Sequence, residues 1–183
     1  MIIVLGTPGA GKTTILNEAK KRLSSDWVFI NYGDLMFKLA SEENFVKHRD
    51  EMRLLPLSVQ KKLQAKAAEE LQKSGEKTIL DTHCSIKTPN GYLPGLPFEL
   101  LSKMRVENLI LISAPIEDIM RRRVADTTRS RDKEKIEELE EHMAINKFLL
   151  STYSVITGAP FLIIENRDGS LKEAVERFLS VVK

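Results

Sequence analysis

The sequence lacks several features that mark other classes of protein. It contains one cysteine, Cys84, so it forms no internal disulfide and no cysteine-rich zinc site. No apolar run approaches the roughly 20 residues that a membrane-spanning helix needs. The first residues, MIIVLG, lack the basic segment and the cleavage site of a secretory signal. We therefore expect a cytoplasmic protein with no membrane partner.

The chain also has almost no excess of charge of one sign. Lysine and arginine total 28 and aspartate and glutamate total 26, which gives a net charge of +2. Because this balance provides no broad basic surface, and because basic tails are absent, we expect no nucleic-acid partner. The 183 residues are 42% hydrophobic and 30% charged, a composition typical of one globular domain, which we assign to residues 1–183.

Short apolar strands alternate with helices along the whole chain. The patterns predict strands at 2–5, 27–30, 78–80, 109–112 and 161–164, with a helix after each strand. Such strands, apolar without alternation, are typical of parallel sheets that are covered on both faces. We predict an α/β fold of three layers, with a five-stranded parallel sheet and helices on both faces. The stretch 85–97 is rich in proline and glycine and is predicted to be a long loop.

The most specific motif lies between the first strand and the first helix. Residues 6–13, GTPGAGKT, match G-x-x-x-x-G-K-[ST], the P-loop of nucleotide-binding proteins. Its glycines let the backbone curl so that N–H groups point at phosphate oxygens, and the helix dipole adds to this attraction. We assign ATP binding to nine residues: Gly6, Thr7, Pro8, Gly9, Ala10, Gly11, Lys12, Thr13 and Thr14.

Within this loop, Lys12 supplies positive charge to the β- and γ-phosphates and Thr13 offers a hydroxyl to Mg²⁺. Asp81 ends the third predicted strand, where a second group near the metal is expected. Asp81 could hold Mg²⁺ through water, or it could form hydrogen bonds to neighbouring loops. Thr13 and Asp81 are therefore the candidate metal residues.

Two groups of arginines are candidates for binding the other phosphates. Arg49 and Arg53 are four residues apart and would share one face of a helix, which suits a phosphate dianion. A solvated helix with internal ion pairs, such as Asp50 with Arg53, is the alternative. The second group comprises five arginines at positions 121, 122, 123, 129 and 131. We expect Arg129 and Arg131 to act on the transferring group, whereas one or two of the others cap a basic helix end.

Other polar residues have two open interpretations. His83, His142 and Asn146 could face a ligand, although structural hydrogen bonds are the commoner role. The loop 166–169 would lie near the base of ATP, where Arg167 could stack, or it could be a plain turn.

Several blocks of the sequence together resemble the archaeal-type adenylate kinases. These blocks are NYGD (31–34), HRDEMR (48–53), DTH (81–83), TPNGYLPGLP (88–97) and DTTRSRD (126–132), in addition to the P-loop. The resemblance spans nearly the whole chain. It implies the reaction ATP + AMP ⇌ 2 ADP with Mg²⁺, and a homotrimer. It also implies an acceptor-binding segment at about 31–55, a lid at about 121–133, and a catalytic set of Lys12, Arg49, Arg53, Arg129 and Arg131.

Two alternatives to this function remain open at the level of sequence. The protein could be a kinase of the same fold for another small acceptor, such as CMP or a hydroxylated acid. It could also be an ATP-driven maturation factor with secondary kinase activity. The apolar residues Tyr92, Leu93 and Leu96 could be covered by another subunit or by their own chain.

Overall fold

The centre of the fold is a sheet of five parallel strands. The computed structural model describes residues 1–88, 91–125 and 136–182, without the side chains of Asp50 and Arg53. The sheet strands are β1 (Ile2–Gly6), β2 (Val28–Asn31), β3 (Thr78–Asp81), β6 (Asn108–Ser113) and β7 (Phe161–Glu165). They lie side by side in the order β2-β3-β1-β6-β7, and all four pairings are parallel. The predicted five-stranded parallel sheet is therefore confirmed.

Helices cover both faces of this sheet. They are α1 (Lys12–Lys20), α2 (Tyr32–Glu42), α3 (Leu57–Lys73), α4 (Phe98–Leu101), α5 (Ile116–Ala125), α6 (Ile136–Thr157) and α7 (Leu171–Leu179), with a 3₁₀ helix at Arg49–Leu54. None of the helices in the described part of the chain is long and apolar enough to cross a membrane.

The alternation of side chains along β1 divides the core into two layers. Ile3 and Leu5 pack into the layer that includes buried residues of α2, α3, α4 and α6. Ile2 and Val4 point the other way, into the layer that includes residues of α1, α5 and α7. Because a strand turns successive side chains to opposite faces, a fully apolar strand is required at the centre of a sheet covered on both sides.

The loop predicted for residues 85–97 is wrong over most of its length. The chain forms an antiparallel hairpin of β4 (Ser85–Thr88) and β5 (Gly91–Pro94), in which Ile86 is paired with Leu93. Neither strand contains the apolar, β-branched run that marks the strands of the main sheet. Pro94 is tolerated because each strand of a two-stranded hairpin is an edge strand. Leu96 is buried by its own chain, whereas the paired Ile86 and Leu93 are about half exposed.

Candidate active site

The P-loop joins the buried end of β1 to the first turn of α1. Gly9 and Gly11 have φ angles of 97° and 86°, a region in which a side chain would be strained, and this explains why the loop needs glycine at both positions. The first turn of α1 contains no acidic residue, so its positive end can attract an anion. Thr13 and Thr14 are exposed at this helix start.

Lys12 lies at the floor of this loop in a largely buried position. Its side chain is 11% exposed, and its ammonium forms an ion pair with Asp81 and a hydrogen bond of 2.9 Å to the Thr82 carbonyl. Burial lowers the pKa of Lys12 to about 8, because the charged form is poorly hydrated there. Phosphate oxygens at this site would favour the charged form and raise the pKa again.

Asp81 connects the P-loop to the segment that follows β2. One of its oxygens contacts Lys12, and the other accepts a hydrogen bond of 2.8 Å from the Asn31 amide. The carbonyl oxygen of the same Asn31 side chain accepts the backbone N–H of Asp34 at 3.0 Å, which caps α2. Both hydrogen-bonding and metal-binding roles of Asp81 thus remain compatible with its position.

Metal binding at this edge would depend on few protein ligands. The described residues contain no group of three or more His, Cys, Asp and Glu side chains that could hold an ion. Mg²⁺ commonly uses one or two protein oxygens and completes its shell with waters and substrate phosphates. The exposed Thr13 hydroxyl and the Asp81 carboxylate are oxygen donors of that kind.

Arg49 begins the 3₁₀ helix and reaches back to the start of α2. Its guanidinium forms an ion pair with Asp34, and the arginine side chain is 58% exposed. A Cβ on Gly33 would lie 2.6 Å from Nη2 of Arg49, so glycine allows this close approach. A 3₁₀ helix aligns residues three apart, so the predicted shared face of Arg49 and Arg53 does not follow from their spacing. The side chain of Arg53 lies outside the described residues.

The predicted lid arginines and their neighbours divide into two sets. Arg129 and Arg131 lie outside the described residues. Arg122 and Arg123, at the end of α5, bind the back of the P-loop: Arg123 donates to the Pro8 carbonyl at 3.0 Å, and Arg122 donates weakly to the Gly9 carbonyl at 3.4 Å. These two arginines therefore hold carbonyl groups of the P-loop in the structure.

A cavity of about 210 Å³ opens beside the P-loop. Its lining residues come from the P-loop, α1, α5, the loop after β7 and the start of α7: Gly11, Thr14, Arg122, Asn166, Arg167, Asp168, Gly169 and Leu171. Asn166 is buried and donates to the Ala10 carbonyl at 2.9 Å, and Gly11 packs directly against it. The loop 166–169 thus lines a cavity next to the P-loop, and its expected place near the base of ATP stays a prediction. Arg167 is mostly exposed and pairs with Glu165 at 2.5 Å.

Asn146 of α6 joins the P-loop to the hairpin, a role that the sequence left open. Its amide donates to the hydroxyl of Thr7 at 3.0 Å and its carbonyl oxygen accepts from the Ser85 hydroxyl at 2.5 Å. All three side chains are buried, so the Thr7 side chain anchors the P-loop to α6 through Asn146.

The two histidines named with Asn146 lie in different environments. On α6, His142 is buried beside the Tyr92 ring, with ring centroids 5.2 Å apart. His83 is exposed.

Sequence comparisons identify close relatives over the full chain. An adenylate kinase of Methanopyrus kandleri is 44% identical, with 100% of this chain and 97% of the relative covered. The adenylate kinases of Methanocaldococcus jannaschii and Methanothermobacter thermautotrophicus are 39% and 40% identical, with 100% of this chain and 98% and 99% of the relatives covered. Residues 5–140 match the family model described as an AAA domain.

Structural comparisons agree on the fold. A shikimate kinase from Bacteroides thetaiotaomicron superposes with a TM-score of 0.59 at 16% identity, covering 99% of this chain and 97% of the other. A gluconokinase from Sinorhizobium meliloti gives a TM-score of 0.52 at 16% identity, covering 99% and 90%. The structural neighbours show the kinase fold, and the full-length sequence relatives, with the P-loop geometry, show that the chain belongs to the adenylate kinase family.

Proposed function

We propose that the protein transfers the terminal phosphoryl group of ATP to AMP, giving two ADP, and that it also catalyses the reverse reaction. The observation that carries this proposal is the linkage of two cationic sites along one edge of the sheet. Lys12 of the P-loop contacts Asp81, Asp81 contacts Asn31, and Asn31 caps the helix whose Asp34 holds Arg49. A phosphate donor and a phosphate acceptor can therefore be held side by side, which is the main requirement of phosphoryl transfer.

The donor side of the proposed site comprises the P-loop and the adjoining cavity. The residues assigned to ATP are Gly6, Thr7, Pro8, Gly9, Ala10, Gly11, Lys12, Thr13 and Thr14, with Lys12 at the β- and γ-phosphates. The cavity lies next to Gly11 and Thr14, at the start of α1, and could take the nucleoside part of ATP while the loop holds the phosphates.

The acceptor side is the segment at about 31–55. Arg49 is mostly exposed and its guanidinium is already oriented by Asp34, so a phosphate dianion could bind it bidentately. We assign Arg53 to the same phosphate. Residues at about 121–133 form the proposed lid, in which Arg129 and Arg131 stabilise charge on the transferring group.

Mg²⁺ would be held by Thr13 and Asp81 together with the ATP phosphates. When bound, it would neutralise phosphate charge and orient the oxygens of the β- and γ-phosphates. The residues of the chain hold the two nucleotides in line and exclude water. A direct transfer between them needs no covalent intermediate on the protein.

The experiment that tests this function is an assay of ADP formation across a panel of monophosphate acceptors. Sites that bind the base by hydrogen bonds discriminate strongly, because a wrong base leaves buried polar groups unpaired. We expect kcat/KM for AMP to exceed that for CMP, UMP and GMP by at least about tenfold, and two ADP to give ATP and AMP. A better rate with CMP or with a non-nucleotide acid would refute AMP as the substrate and leave a P-loop kinase. Slow turnover of free AMP would favour the maturation-factor alternative.

We further propose a cytoplasmic homotrimer without membrane or nucleic-acid partners. The trimer rests on the family resemblance and is supported by the half-exposed pair of Ile86 and Leu93 on the hairpin, an apolar face that contact with another subunit would cover. Sedimentation at micromolar concentration should give three times the chain mass of 20.8 kDa. The double change Ile86→Asp and Leu93→Asp should lower that mass. A wild-type mass near that of one chain would refute the trimer.

A further inference from the structure

Asp118 is a buried carboxylate that the proposed reaction does not use. It lies in the first turn of α5 and is 8% exposed, while its neighbour Glu117 is exposed. Both of its oxygens have partners: Oδ2 accepts the backbone N–H of Asp168 at 2.9 Å, and Oδ1 forms an ion pair with Arg121. The amino-terminal turn of a helix stabilises such a charge, so Asp118 is a well-placed anionic acceptor.

Asp168 extends this contact to the wall of the cavity. Its carboxylate accepts hydrogen bonds from Nε of Arg121 at 3.0 Å and from Nε of Arg122 at 2.8 Å. Arg122 in turn donates to the Asn166 carbonyl at 2.9 Å. Arg122, Asn166 and Asp168 all line the cavity, whereas Asp118 stands behind it and does not.

We propose that Asp118 is a positioning residue for the nucleoside part of the donor nucleotide. By holding the backbone of Asp168 and the side chain of Arg121, it fixes the loop after β7 and orients Arg122 at the cavity wall. The inference rests on the proposed function in so far as the cavity takes the nucleoside of ATP. It adds that the shape of this cavity depends on a residue that touches no substrate.

The geometry gives a reason why the loop needs this residue. The first residue of the loop, Asn166, is held without any contribution from Asp118. Its backbone N–H donates to the Ser113 carbonyl at 2.8 Å, and its side-chain amide donates to the Ala10 carbonyl. Asp168 lies two residues further on and is followed by Gly169, which adopts a φ of 84°. Loss of the Asp118 acceptor would release the Asp168 N–H and one contact of Arg121. The stronger contacts to the P-loop, from Asn166 to the Ala10 carbonyl and from Arg123 to the Pro8 carbonyl, do not involve Asp118 and would remain.

The test uses Asp118→Asn, which preserves shape but places an amide NH₂ against a donor. Calorimetry would measure Kd for ATP and for inorganic tripolyphosphate, which occupies the P-loop but has no nucleoside. Because hydrogen bonds to charged groups are among the stronger ones, we expect Kd for ATP to rise at least about fivefold and Kd for tripolyphosphate to stay within about twofold. Glu117→Gln, which removes the same charge from an exposed position in the same turn, should leave both values unchanged.

Two results would overturn the proposal. The first is an unchanged Kd for ATP. The second is an equal rise in Kd for ATP and for tripolyphosphate, because an equal rise indicates general damage to the P-loop. If Asp118→Asn does not fold, Arg121→Lys keeps the positive charge but loses the guanidinium fork that contacts both aspartates, and it should raise Kd for ATP about two- to threefold with tripolyphosphate unaffected. An unchanged Kd for ATP in that variant would also overturn the proposal. The acceptor panel on wild-type protein tests the proposed function separately.

Discussion

Lys12 of the P-loop and Asp81 at the end of β3 form an ion pair whose side chains are 11% and 17% exposed. The pair joins the first residue of α1 to the last residue of β3 and places an ammonium group at the floor of the phosphate site. A low-exposure cation interacts with phosphate more strongly than a hydrated one, because less water screens it. The position of this lysine therefore leads to two predictions.

Lys12→Met should reduce kcat by at least about 100-fold, the usual loss when one preorganised electrostatic group is removed from an active site. Methionine keeps most of the apolar stem, so the fold should persist. The measurement is steady-state ADP formation, with circular dichroism to monitor folding. Lys61→Met, at an exposed position of α3, is the matched control and should retain full activity. Wild-type turnover by a folded Lys12→Met protein would refute the role of the P-loop.

The rate at limiting ATP should fall as the pH rises through about 8. Burial lowers the pKa of Lys12 to about 8, so the free protein loses this cation above that pH. Since kcat/KM reports groups of the free enzyme, kcat/KM for ATP should decline by up to about tenfold per pH unit beyond it.

Deprotonation of Lys12 would not cause such a decline by unfolding the protein. Between about pH 8 and the ordinary value of 10.5, the unfolded chain binds more protons at this group than the folded chain does. The contribution of Lys12 to the free energy of unfolding therefore rises with pH in that range. A profile of kcat/KM that stays level to about pH 9.5 would show that Lys12 keeps its proton despite burial.

Local patterns in the sequence were sufficient for the sheet and the P-loop. Each predicted strand overlaps an observed one, because an apolar run bounded by polar or glycine residues is a local signal. The hairpin could not be predicted because β4 and β5 lack such an apolar run, and the glycine and prolines of this stretch favour a loop. In the site, the sequence placed Lys12 and Asp81 at the same edge of the sheet, but the ion pair between them was not predicted.

Contacts between distant segments could not be predicted in the same way. Asp118 and Asp168 are brought together because β6 and β7 pair in register from Leu109 with Phe161 to Ser113 with Glu165. Neither residue belongs to a motif, and an acidic residue in the first turn of a helix is common for reasons of the helix dipole alone. The order of strands had to be known before this part of the site could be recognised.

Arg49→Ala should raise KM for AMP about tenfold or more and change KM for ATP much less, because a charged hydrogen bond to phosphate is lost on the acceptor side only. Arg53→Ala should act in the same direction. Arg105→Ala, at an exposed position before β6, is the control. An equal rise in both KM values would show that Arg49 does not distinguish the acceptor from the donor.

Gly33→Ala tests the placement of Arg49 without removing a charge. A Cβ at Gly33 would lie 2.6 Å from Nη2 of Arg49, and the flexible arginine would have to move away. We expect KM for AMP to rise several-fold with little loss of stability, since an arginine tip can shift at small cost. Initial rates with AMP varied at saturating ATP would measure this effect. An unchanged KM would indicate that the observed position of the guanidinium is not the one that AMP needs.

Arg129→Ala and Arg131→Ala should lower kcat more than they raise KM for ATP. A lid arginine interacts mainly with the transition state, so its loss affects the chemical step more than ground-state binding. The separate dependence of rate on ATP and AMP measures both parameters. Hydrolysis of ATP without acceptor should stay slow in the wild-type protein, because closure excludes water. Changes in KM alone would assign these arginines to ground-state binding.

Asn146→Ala should reduce both stability and the efficiency of the P-loop. The substitution leaves the buried hydroxyls of Thr7 and Ser85 without their shared amide, at a cost of about 1–3 kcal/mol in the free energy of unfolding. For a chain of this size that loss corresponds to a decrease in Tm of roughly 2–4 °C per kcal/mol. Because Thr7 belongs to the P-loop, KM for ATP should rise as well, while Lys147→Ala on the exposed side of α6 should change neither quantity. The measurements are thermal unfolding and the dependence of rate on ATP concentration for both variants. A loss of stability with an unaltered KM for ATP would show that Asn146 stabilises the fold without contributing to ATP binding.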